Sequence, residues 1–424
     1  MRKLIFMISA LCFFTASVLS QPVKTFTFST KPEDAGLSSD RLIRIDKMVE
    51  EYIANKWIPG AVVLIIRNGK IVVHKAYGFN DMENKTILKR DDIFRIASQS
   101  KAITSLAVMM LWEEGKFSLD EPVSKYIPEF KNPLILKTFN PKDSSYTIEP
   151  AKSEVTIRQL ITHTSGLDYA AIGSDEFKAI YAKAGVPSGI GNNMMMLGDK
   201  MKILAKLPLR HQPGEKWTYG LNDDMLGYLV EIVSGMPFDQ FLKHRIFEPL
   251  GMKDTYFYLP TEKQNRLVNL YQGKDESIEK AIGKVYDNVD PNYPNTAGKY
   301  FSGGAGLSST VEDYAKFLQL FLNTGSYNGV RLLSRKTVEL MLTNQLQSIK
   351  GNPFGLGFGL ETEENDFKSP FSIGTFSWGG AYNTHFWADP KEKLIGLIFT
   401  NIYQSPSWGI GEKFKALTYQ AIVD

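Results

Sequence analysis

The stretch Ile96-Ala97-Ser98-Gln99-Ser100-Lys101-Ala102-Ile103 contains a serine and a lysine three residues apart. On a helix this spacing places both side chains on one face. The residues that follow, up to Trp112, are almost wholly apolar, so we expect the helix to be buried. A lysine buried without a compensating charge readily loses its proton. Because a neutral amine one turn from a hydroxyl can accept its proton, Ser98 is a candidate acyl-transfer nucleophile and Lys101 is its candidate base.

A second Ser-x-x-Lys copy, Ser277-Ile278-Glu279-Lys280, shows that the pattern alone is not specific. Charged residues surround this copy, which is typical of a solvated surface. The first copy differs because an apolar run follows it. Its assignment therefore depends on supporting residues elsewhere in the chain.

The overall composition is that of a globular protein. The chain has 424 residues, of which 43% are hydrophobic and 22% are charged. Its length predicts two or three domain-sized units. The formal net charge is +3, and no run of lysine and arginine stands out. Nothing in this pattern indicates a nucleic acid or an anionic membrane surface as a partner.

The N-terminal segment, residues 1–20, begins with two basic residues and continues as an apolar run. This pattern predicts a signal peptide cleaved between Ser20 and Gln21, and hence a periplasmic or secreted protein without an integral membrane segment. An uncleaved anchor is the alternative, but the run is shorter than the ~20 residues that a span needs. Cleavage would remove Cys12, the only cysteine, which excludes cysteine catalysis, disulfides and thiolate metal sites from the mature chain.

Strand signals occur at both ends of the chain, and helical periods dominate its middle. The economical arrangement is one α/β domain made of residues 21–125 and 301–424, with an all-helical domain, 126–300, inserted between them. The cleft between the two domains is the expected site. The predicted elements are a helix capped by Ser39, a hairpin of 61–66 and 71–75 around Asn68-Gly69, a helix from Ser98 to Gly115, helices at 224–234, 311–322 and 409–423, and strands at 355–360, 384–388 and 394–400.

Residues 189–200, with three consecutive methionines at 194–196, are a candidate lid over this cleft. The alternative is a flexible apolar plug within the helical domain. The sequence pattern does not distinguish the two.

Other catalytic schemes find little support in the sequence. The five histidines form no His-Glu-x-x-His pattern, no serine lies in Gly-x-Ser-x-Gly, and no nucleotide-binding fingerprint is present. We therefore predict neither a metal nor a cofactor. His163 is interpreted as a structural residue that is hydrogen-bonded to the backbone. Catalysis by a serine nucleophile with a lysine base is therefore the scheme that the sequence supports.

Three motifs occur in chain order: Ser98-Gln-Ser-Lys101, Trp217-Thr-Tyr219-Gly220-Leu221 and Trp378-Gly379-Gly380. In this order they resemble the Ser-x-x-Lys, Tyr-x-Asn and Lys-Thr-Gly motifs of serine β-lactamases and penicillin-binding proteins. The surrounding sequence, such as that of 160–167 and 303–309, is similar to the class C β-lactamase-related group. The resemblance runs from about Leu37 to the C-terminus. It implies a β-lactamase/transpeptidase-like α/β fold, with an antiparallel sheet flanked by helices from both chain ends and an inserted helical domain.

The resemblance also implies roles for individual residues. Ser98 matches the acylated nucleophile, Lys101 the lysine that helps to deprotonate it, and Tyr219 the tyrosine that passes the proton to the leaving group. The backbone N–H groups of Ser98 and Ala381 match the oxyanion hole. A helix N-terminus at Ser98 would add a favourable dipole.

Two residues depart from the family pattern. Trp378 replaces the lysine of Lys-Thr-Gly, and tryptophan cannot pair with a substrate carboxylate. Leu221 replaces the asparagine that usually contacts the acylamide of β-lactams. With Gly379 and Gly380, both are candidate substrate-binding residues, and Trp378 is either a stacking surface or a packing residue. A Trp-Gly-Gly third motif is similar to that of esterases in this group.

Three functions remain open at this point. The first is a secreted serine hydrolase, a carboxylesterase that acts on small or medium acyl esters. The second is a β-lactamase or D-amino-acid peptidase. The third is a catalytically weak binding protein of the cell envelope, against which the complete Ser98, Lys101 and Tyr219 set argues. The expected partner is a small-molecule ester, amide or peptide, and the sequence indicates no oligomeric state.

Overall fold

The computed structural model describes residues 23–191, 194–283, 285, 289–347, 349 and 351–424. The predicted signal peptide, residues 1–20, lies outside these ranges. Within them, no helix is both long enough and apolar enough to cross a membrane.

A sheet of eight strands forms the centre of the fold, and short strands pair around it. The strands are β1 (Thr27–Phe28), β2 (Gly60–Arg67), β3 (Lys70–Asp81), β4 (Thr86–Ile87), β5 (Phe94–Arg95), β6 (Leu134–Asn140), β7 (Ser145–Pro150), β8 (Tyr271–Lys274), β9 (Ser277–Lys280), β10 (Ser308–Ser309), β11 (Ser326–Tyr327), β12 (Val330–Arg331), β13 (Gly359–Leu360), β14 (Phe376–Gly380), β15 (Thr384–Asp389), β16 (Leu394–Phe399) and β17 (Ile402–Tyr403). The order along the main path of the sheet is β1-β3-β2-β16-β15-β14-β13, and β4 pairs with β3.

The helices flank this sheet, and several of them lie in the middle of the chain. Short 3₁₀ turns lie at Pro32–Ala35, Ala97–Gln99, Val123–Lys125, Pro128–Phe130, Thr261–Arg266, Tyr293–Asn295 and Asp366–Lys368, and a π-helical turn lies at Lys243–Phe247. The α-helices are α1 (Ser39–Ala54), α2 (Ser100–Glu113), α3 (Ile157–Ile161), α4 (Asp175–Ala184), α5 (Leu197–Leu204), α6 (Asn222–Ser234), α7 (Phe238–Leu242), α8 (Glu248–Leu250), α9 (Val311–Leu322), α10 (Arg335–Met341) and α11 (Ile410–Tyr419).

The two faces of β2 explain why it is a continuous apolar run. Val62, Leu64 and Ile66 belong to one buried cluster, and the alternating residues 61, 63 and 65 belong to another. Because side chains alternate along a strand, a central strand covered on both sides is apolar at every position. Helices α1 and α11 cover one face, and α2 and α9 pack on the other. The sheet therefore joins the two ends of the chain.

The fold class is confirmed: the sheet is built from both chain ends and is flanked by helices. The Asn68-Gly69 hairpin is also confirmed, because both residues have the positive φ that a type I′ turn requires. All neighbouring strands of the main sheet are antiparallel except β1 and β3, which are parallel.

The prediction that residues 126–300 are all-helical is wrong. This segment contains the hairpin of β6 and β7, and the pair β8 and β9, which β17 extends by parallel pairing. The largest buried cluster includes residues of the sheet, such as Leu64, and residues of the middle segment, such as Phe177 and Leu226. One core thus crosses the proposed boundary, and the domain division at 125/126 and 300/301 stays a prediction.

Two local predictions also need correction. Ser38, and not Ser39, caps α1, because its side chain accepts a hydrogen bond from the Arg41 N–H. The strand predicted at 355–360 is reduced to Gly359–Leu360. Residues 192–193 of the candidate lid lie outside the described residues, and α5 occupies the end of that stretch from Leu197 onward.

Candidate active site

Ser98 lies in the 3₁₀ turn between β5 and α2, one residue after a strained backbone position. Ala97 has a φ of 43°, in the left-handed region that residues other than glycine seldom adopt. The Ser100 hydroxyl donates to the Ala97 carbonyl oxygen at 2.7 Å and accepts from the Leu307 N–H at 3.1 Å. The Tyr314 hydroxyl donates to the Gln99 carbonyl oxygen at 2.8 Å. These bonds hold the turn so that Ser98 remains half-buried and accessible.

Lys101 lies one turn further along, on the same side as Ser98, and is 2% exposed. Its Nζ atom is 3.4 Å from Ser98 Oγ, 2.8 Å from Tyr169 Oη and 2.6 Å from the Gly304 carbonyl oxygen. An ammonium can donate one hydrogen to each of these three oxygens. A neutral amine can donate to Gly304 and Tyr169 and accept from the Ser98 hydroxyl. The site thus satisfies the lysine in both protonation states, as a group that takes and returns a proton requires.

Two tyrosines stand beside this lysine, and they present different parts of their side chains to it. Tyr169 offers its hydroxyl, whereas Tyr219 offers its ring, whose centroid is 4.6 Å from Lys101 Nζ. The two ring centroids are 5.4 Å apart. The predicted role of Tyr219 in the proton relay stays a prediction. Tyr169 was missed from the sequence, although it follows closely on the Leu160–Leu167 stretch that supports the resemblance.

His163 is fully buried behind Tyr219, with ring centroids 5.0 Å apart. The Ser165 hydroxyl donates to Asn222 Oδ1, which leaves the Asn222 amide nitrogen to donate to His163 Nδ1 at 2.9 Å. Burial, aided by the charge of Lys101, holds the pKa of His163 well below its ordinary value. The neutral ring therefore carries its proton on Nε2, 3.4 Å from Asp223 Oδ2. We expected backbone partners for this ring, and the structure gives it side-chain partners instead.

Gly303 and Gly304, in the loop before β10, pack closely between these groups. A Cβ on Gly303 would lie 2.2 Å from the Asp223 carbonyl oxygen. A Cβ on Gly304 would lie 2.8 Å from Asp224 Oδ2, 3.3 Å from Tyr169 Oη and 3.4 Å from Lys101 Nζ. The absence of side chains lets the Gly304 carbonyl approach the lysine.

The third motif lies on β14, whose end abuts the Ser98 turn. A Cβ on Gly380 would lie 2.4 Å from the Ile96 carbonyl oxygen, so the strand passes directly beside this turn. Ala381 follows and is half-buried. This placement is compatible with an oxyanion hole made of the Ser98 and Ala381 N–H groups, which stays a prediction.

Trp378 is half-buried and stands between aromatic neighbours. Its ring centroid is 5.9 Å from that of Tyr219 and 5.3 Å from that of Phe354. It therefore forms part of an aromatic wall next to the lysine, and Gly379 follows it on the strand. Leu221 behaves differently: it is 0% exposed and belongs to the main core. The prediction that Leu221 contacts a substrate needs correction, because its side chain has no accessible surface.

The second Ser-x-x-Lys copy does not form a comparable pair. Ser277 and Lys280 lie on β9, where residues three apart point to opposite faces. Lys280 is bound instead to the Asp81 carboxylate, at 2.6 Å. The surface interpretation of this copy therefore fits the structure.

Comparison with known proteins extends this description. Residues 45–420 match the family model described as Beta-lactamase. Protein Rv1367c of Mycobacterium tuberculosis is 34% identical over 354 residues, covering 80% of this chain and 84% of the relative. Esterase EstB of Burkholderia gladioli is 28% identical over 377 residues, covering 84% and 90%. The solved structure of EstCE1, described as a hydrolase with promiscuous acyltransferase activity, has a TM-score of 0.78 at 26% identity and covers 90% of this chain and 99% of its own.

The family model spans most of the chain, and the solved structure matches the fold over nearly its full length. The chain therefore belongs to the Beta-lactamase family and is a serine hydrolase.

Proposed function

We propose that this serine hydrolase is a carboxylesterase that works through an acyl-enzyme on Ser98. The observation that carries the proposal is the 3.4 Å separation of Ser98 Oγ and Lys101 Nζ in a site where the lysine is buried. A base within reach of the hydroxyl is what a serine nucleophile needs, because the free hydroxyl is a weak nucleophile. EstB, a relative named as an esterase, supports the same reaction class.

In the proposed acylation, Ser98 Oγ attacks the ester carbonyl carbon while Lys101 Nζ accepts the hydroxyl proton. The N–H groups of Ser98 and Ala381 stabilise the oxygen of the tetrahedral intermediate. The bond from carbon to the alkoxy oxygen then breaks, and the leaving alkoxide takes the proton, with Tyr219 as its carrier. The products of this step are the free alcohol and the acyl-serine.

Deacylation reverses these roles with water as the nucleophile. Lys101 accepts a water proton while the water oxygen attacks the acyl carbon. The bond from this carbon to Ser98 Oγ breaks, and the serine oxygen recovers the proton. The carboxylic acid leaves, and the enzyme returns to its starting state.

The tryptophan at position 378, where the family pattern has a lysine, favours esters over β-lactams as substrates. A β-lactam carboxylate would find no cation at the third motif, and a hydrogen bond to a charged group contributes about 1.5–3 kcal/mol. A neutral ester has no such charge to place, and its acyl chain can lie against the aromatic wall of Trp378, Phe354 and Tyr219.

The test compares kcat/KM for p-nitrophenyl butyrate with that for a chromogenic cephalosporin. We expect the ester to be the better substrate by a wide margin. Trp378→Lys should reduce the ratio of the ester kcat/KM to the cephalosporin kcat/KM roughly 10- to 100-fold, since about 1.4 kcal/mol corresponds to tenfold. Trp408→Lys is the control, because Trp408 is exposed and lies two residues before α11, which packs on the opposite face of the sheet from α2. Efficient cephalosporin turnover with poor ester turnover would refute the esterase and favour a β-lactamase.

We also propose that the protein is exported, to the periplasm or the medium. The support is the N-terminal pattern of residues 1–20, two basic residues before an apolar run.

A further inference from the structure

Two consecutive aspartates lie buried in the first turn of α6, close behind the catalytic lysine. Asp223 is 2% exposed and Asp224 is 0% exposed. Neither carboxylate oxygen of Asp224 has a hydrogen bond of full geometry among the described residues, although Ser302, Tyr300 and the Gly304 backbone lie against it. Burying an acid without full hydrogen bonding is costly, so such a group calls for an explanation beyond packing.

Asp224 shares its surroundings with Lys101. Its Oδ2 atom and Lys101 Nζ lie 2.8 and 3.4 Å from one point, the place where a Gly304 Cβ would stand. Tyr169 Oη lies 3.3 Å from the same point. The carboxylate oxygen Oδ2 and the lysine nitrogen Nζ are therefore at most 6.2 Å apart.

The titratable groups around Asp224 come from four parts of the chain. Lys101 faces it from α2, Asp223 precedes it on α6, and Tyr300 lies against it from the loop before Gly304. Tyr169 also lies close to Asp224, and the neutral His163 faces the neighbouring Asp223. Lys101 is thus the one cation in this described set.

The two acids differ in how readily they ionise. Burial raises the pKa of Asp223 to about 8, although the charge of Lys101 opposes this effect. Burial raises the pKa of Asp224 only to about 6, because Ser302, Lys101 and Tyr300 act against it. Asp224 is therefore the more readily ionised member of the pair when Lys101 is charged.

We propose that the Asp224 carboxylate is the counter-charge of the Lys101 ammonium, which forms when the lysine takes the Ser98 proton. Asp224 touches neither the substrate nor Ser98, so it is a positioning residue that acts through Lys101. An ammonium that appears inside a buried site is stabilised by a fixed negative charge already in place. This inference rests on the proposed acyl-enzyme mechanism.

The test is Asp224→Asn, which removes the charge and keeps the shape. We expect kcat for p-nitrophenyl butyrate to fall at least tenfold, and KM to change less than threefold. The acidic limb of the kcat profile near pH 6 should be lost, because the variant has no carboxylate whose protonation would remove the counter-charge. The melting temperature should not fall, since an unpaired buried carboxylate is removed.

Three further variants make the outcome decisive. Asp224→Glu should restore the acidic limb. Asp389→Asn is the matched control. Asp389 is also fully buried, but it lies at the far end of β15 and accepts hydrogen bonds from backbone N–H groups and from Tyr419. Its replacement should therefore lower the melting temperature and leave the pH profile of kcat unchanged. Ser98→Ala should be inactive.

The possible results separate the two proposals. An unchanged kcat and pH profile in Asp224→Asn would overturn the counter-charge. A fall in kcat that accompanies a lower melting temperature and an unchanged pH profile would show a structural role and would also overturn it. If Ser98→Ala keeps its activity, the acyl-enzyme mechanism itself fails, whatever Asp224→Asn does.

Discussion

The Nζ atom of Lys101 lies 2.6 Å from the carbonyl oxygen of Gly304, a residue 203 positions further along the chain. This carbonyl can only accept, so it fixes one hydrogen of the lysine in either protonation state. The remaining valences of the nitrogen then face Tyr169 and Ser98. The Gly304 loop thereby orients the base toward the nucleophile.

Gly304→Ala should damage catalysis more than folding. The added Cβ would press on the ends of three flexible side chains, those of Asp224, Tyr169 and Lys101, which can move aside. Their movement would disturb the Ser98–Lys101 pair, so we expect kcat to fall at least tenfold with a small change in melting temperature. Gly351→Ala, whose Cβ would have 3.8 Å of clearance, is the control. Equal kcat values in the two variants would contradict this account of the loop.

The lysine and the two tyrosines should act as a unit. We expect Lys101→Ala to lower kcat by about 10²- to 10⁴-fold, as the loss of a general base does. Tyr169→Phe and Tyr219→Phe should each lower kcat when introduced alone. Each should have little further effect when it is combined with Lys101→Ala. The measurement is a double-mutant cycle for each tyrosine. Strictly additive losses for both cycles would show that neither tyrosine works through Lys101.

The stability of Asp224→Asn relative to wild type should depend on pH. Native Asp224 holds its proton up to about pH 6, whereas the unfolded residue releases it near its ordinary pKa of about 3.9. The native state thus binds more protons in this interval, so wild-type stability falls as pH rises through it. The variant lacks this titration, and its advantage should grow from pH 4 to 6, to at most about 3 kcal/mol, and then stay constant. Thermal unfolding across this range would reveal a flat difference if the account is wrong.

Export makes a simple prediction about the mature N-terminus. N-terminal sequencing of protein recovered from the periplasm or medium should begin at or near Gln21. Material that keeps Met1 and remains in the membrane fraction would instead indicate an uncleaved anchor.

Local patterns predicted those parts of the fold that local chemistry determines. The hairpin around Asn68-Gly69 and the helix Val311–Leu322 follow from turn residues and apolar periodicity, and the structure contains both. The hairpin of β6 and β7 was missed because most of its side chains are exposed, so no alternation of buried and exposed residues marks it. The pair β8 and β9 is short and polar, and it gains its third strand from the distant β17.

The candidate active site likewise combines residues that local spacing predicts with residues that only the tertiary fold brings together. Ser98 and Lys101 are three residues apart, so their proximity can be predicted from helical spacing alone. Tyr169 and Gly304 reach Lys101 across 68 and 203 positions of sequence, which only the tertiary fold brings together. The burial of Leu221 likewise depends on packing around α6, and its place in a motif suggested a contact that its 0% exposure excludes.

The central claim is that Ser98 is the residue that becomes acylated. The most direct measurement is labelling of the intact protein with a fluorophosphonate, followed by mass spectrometry of its peptides. We predict one adduct, on the peptide that contains Ser98, with labelling abolished in Ser98→Ala and strongly slowed in Lys101→Ala. An adduct on Ser277, or labelling that persists in Ser98→Ala, would contradict the account.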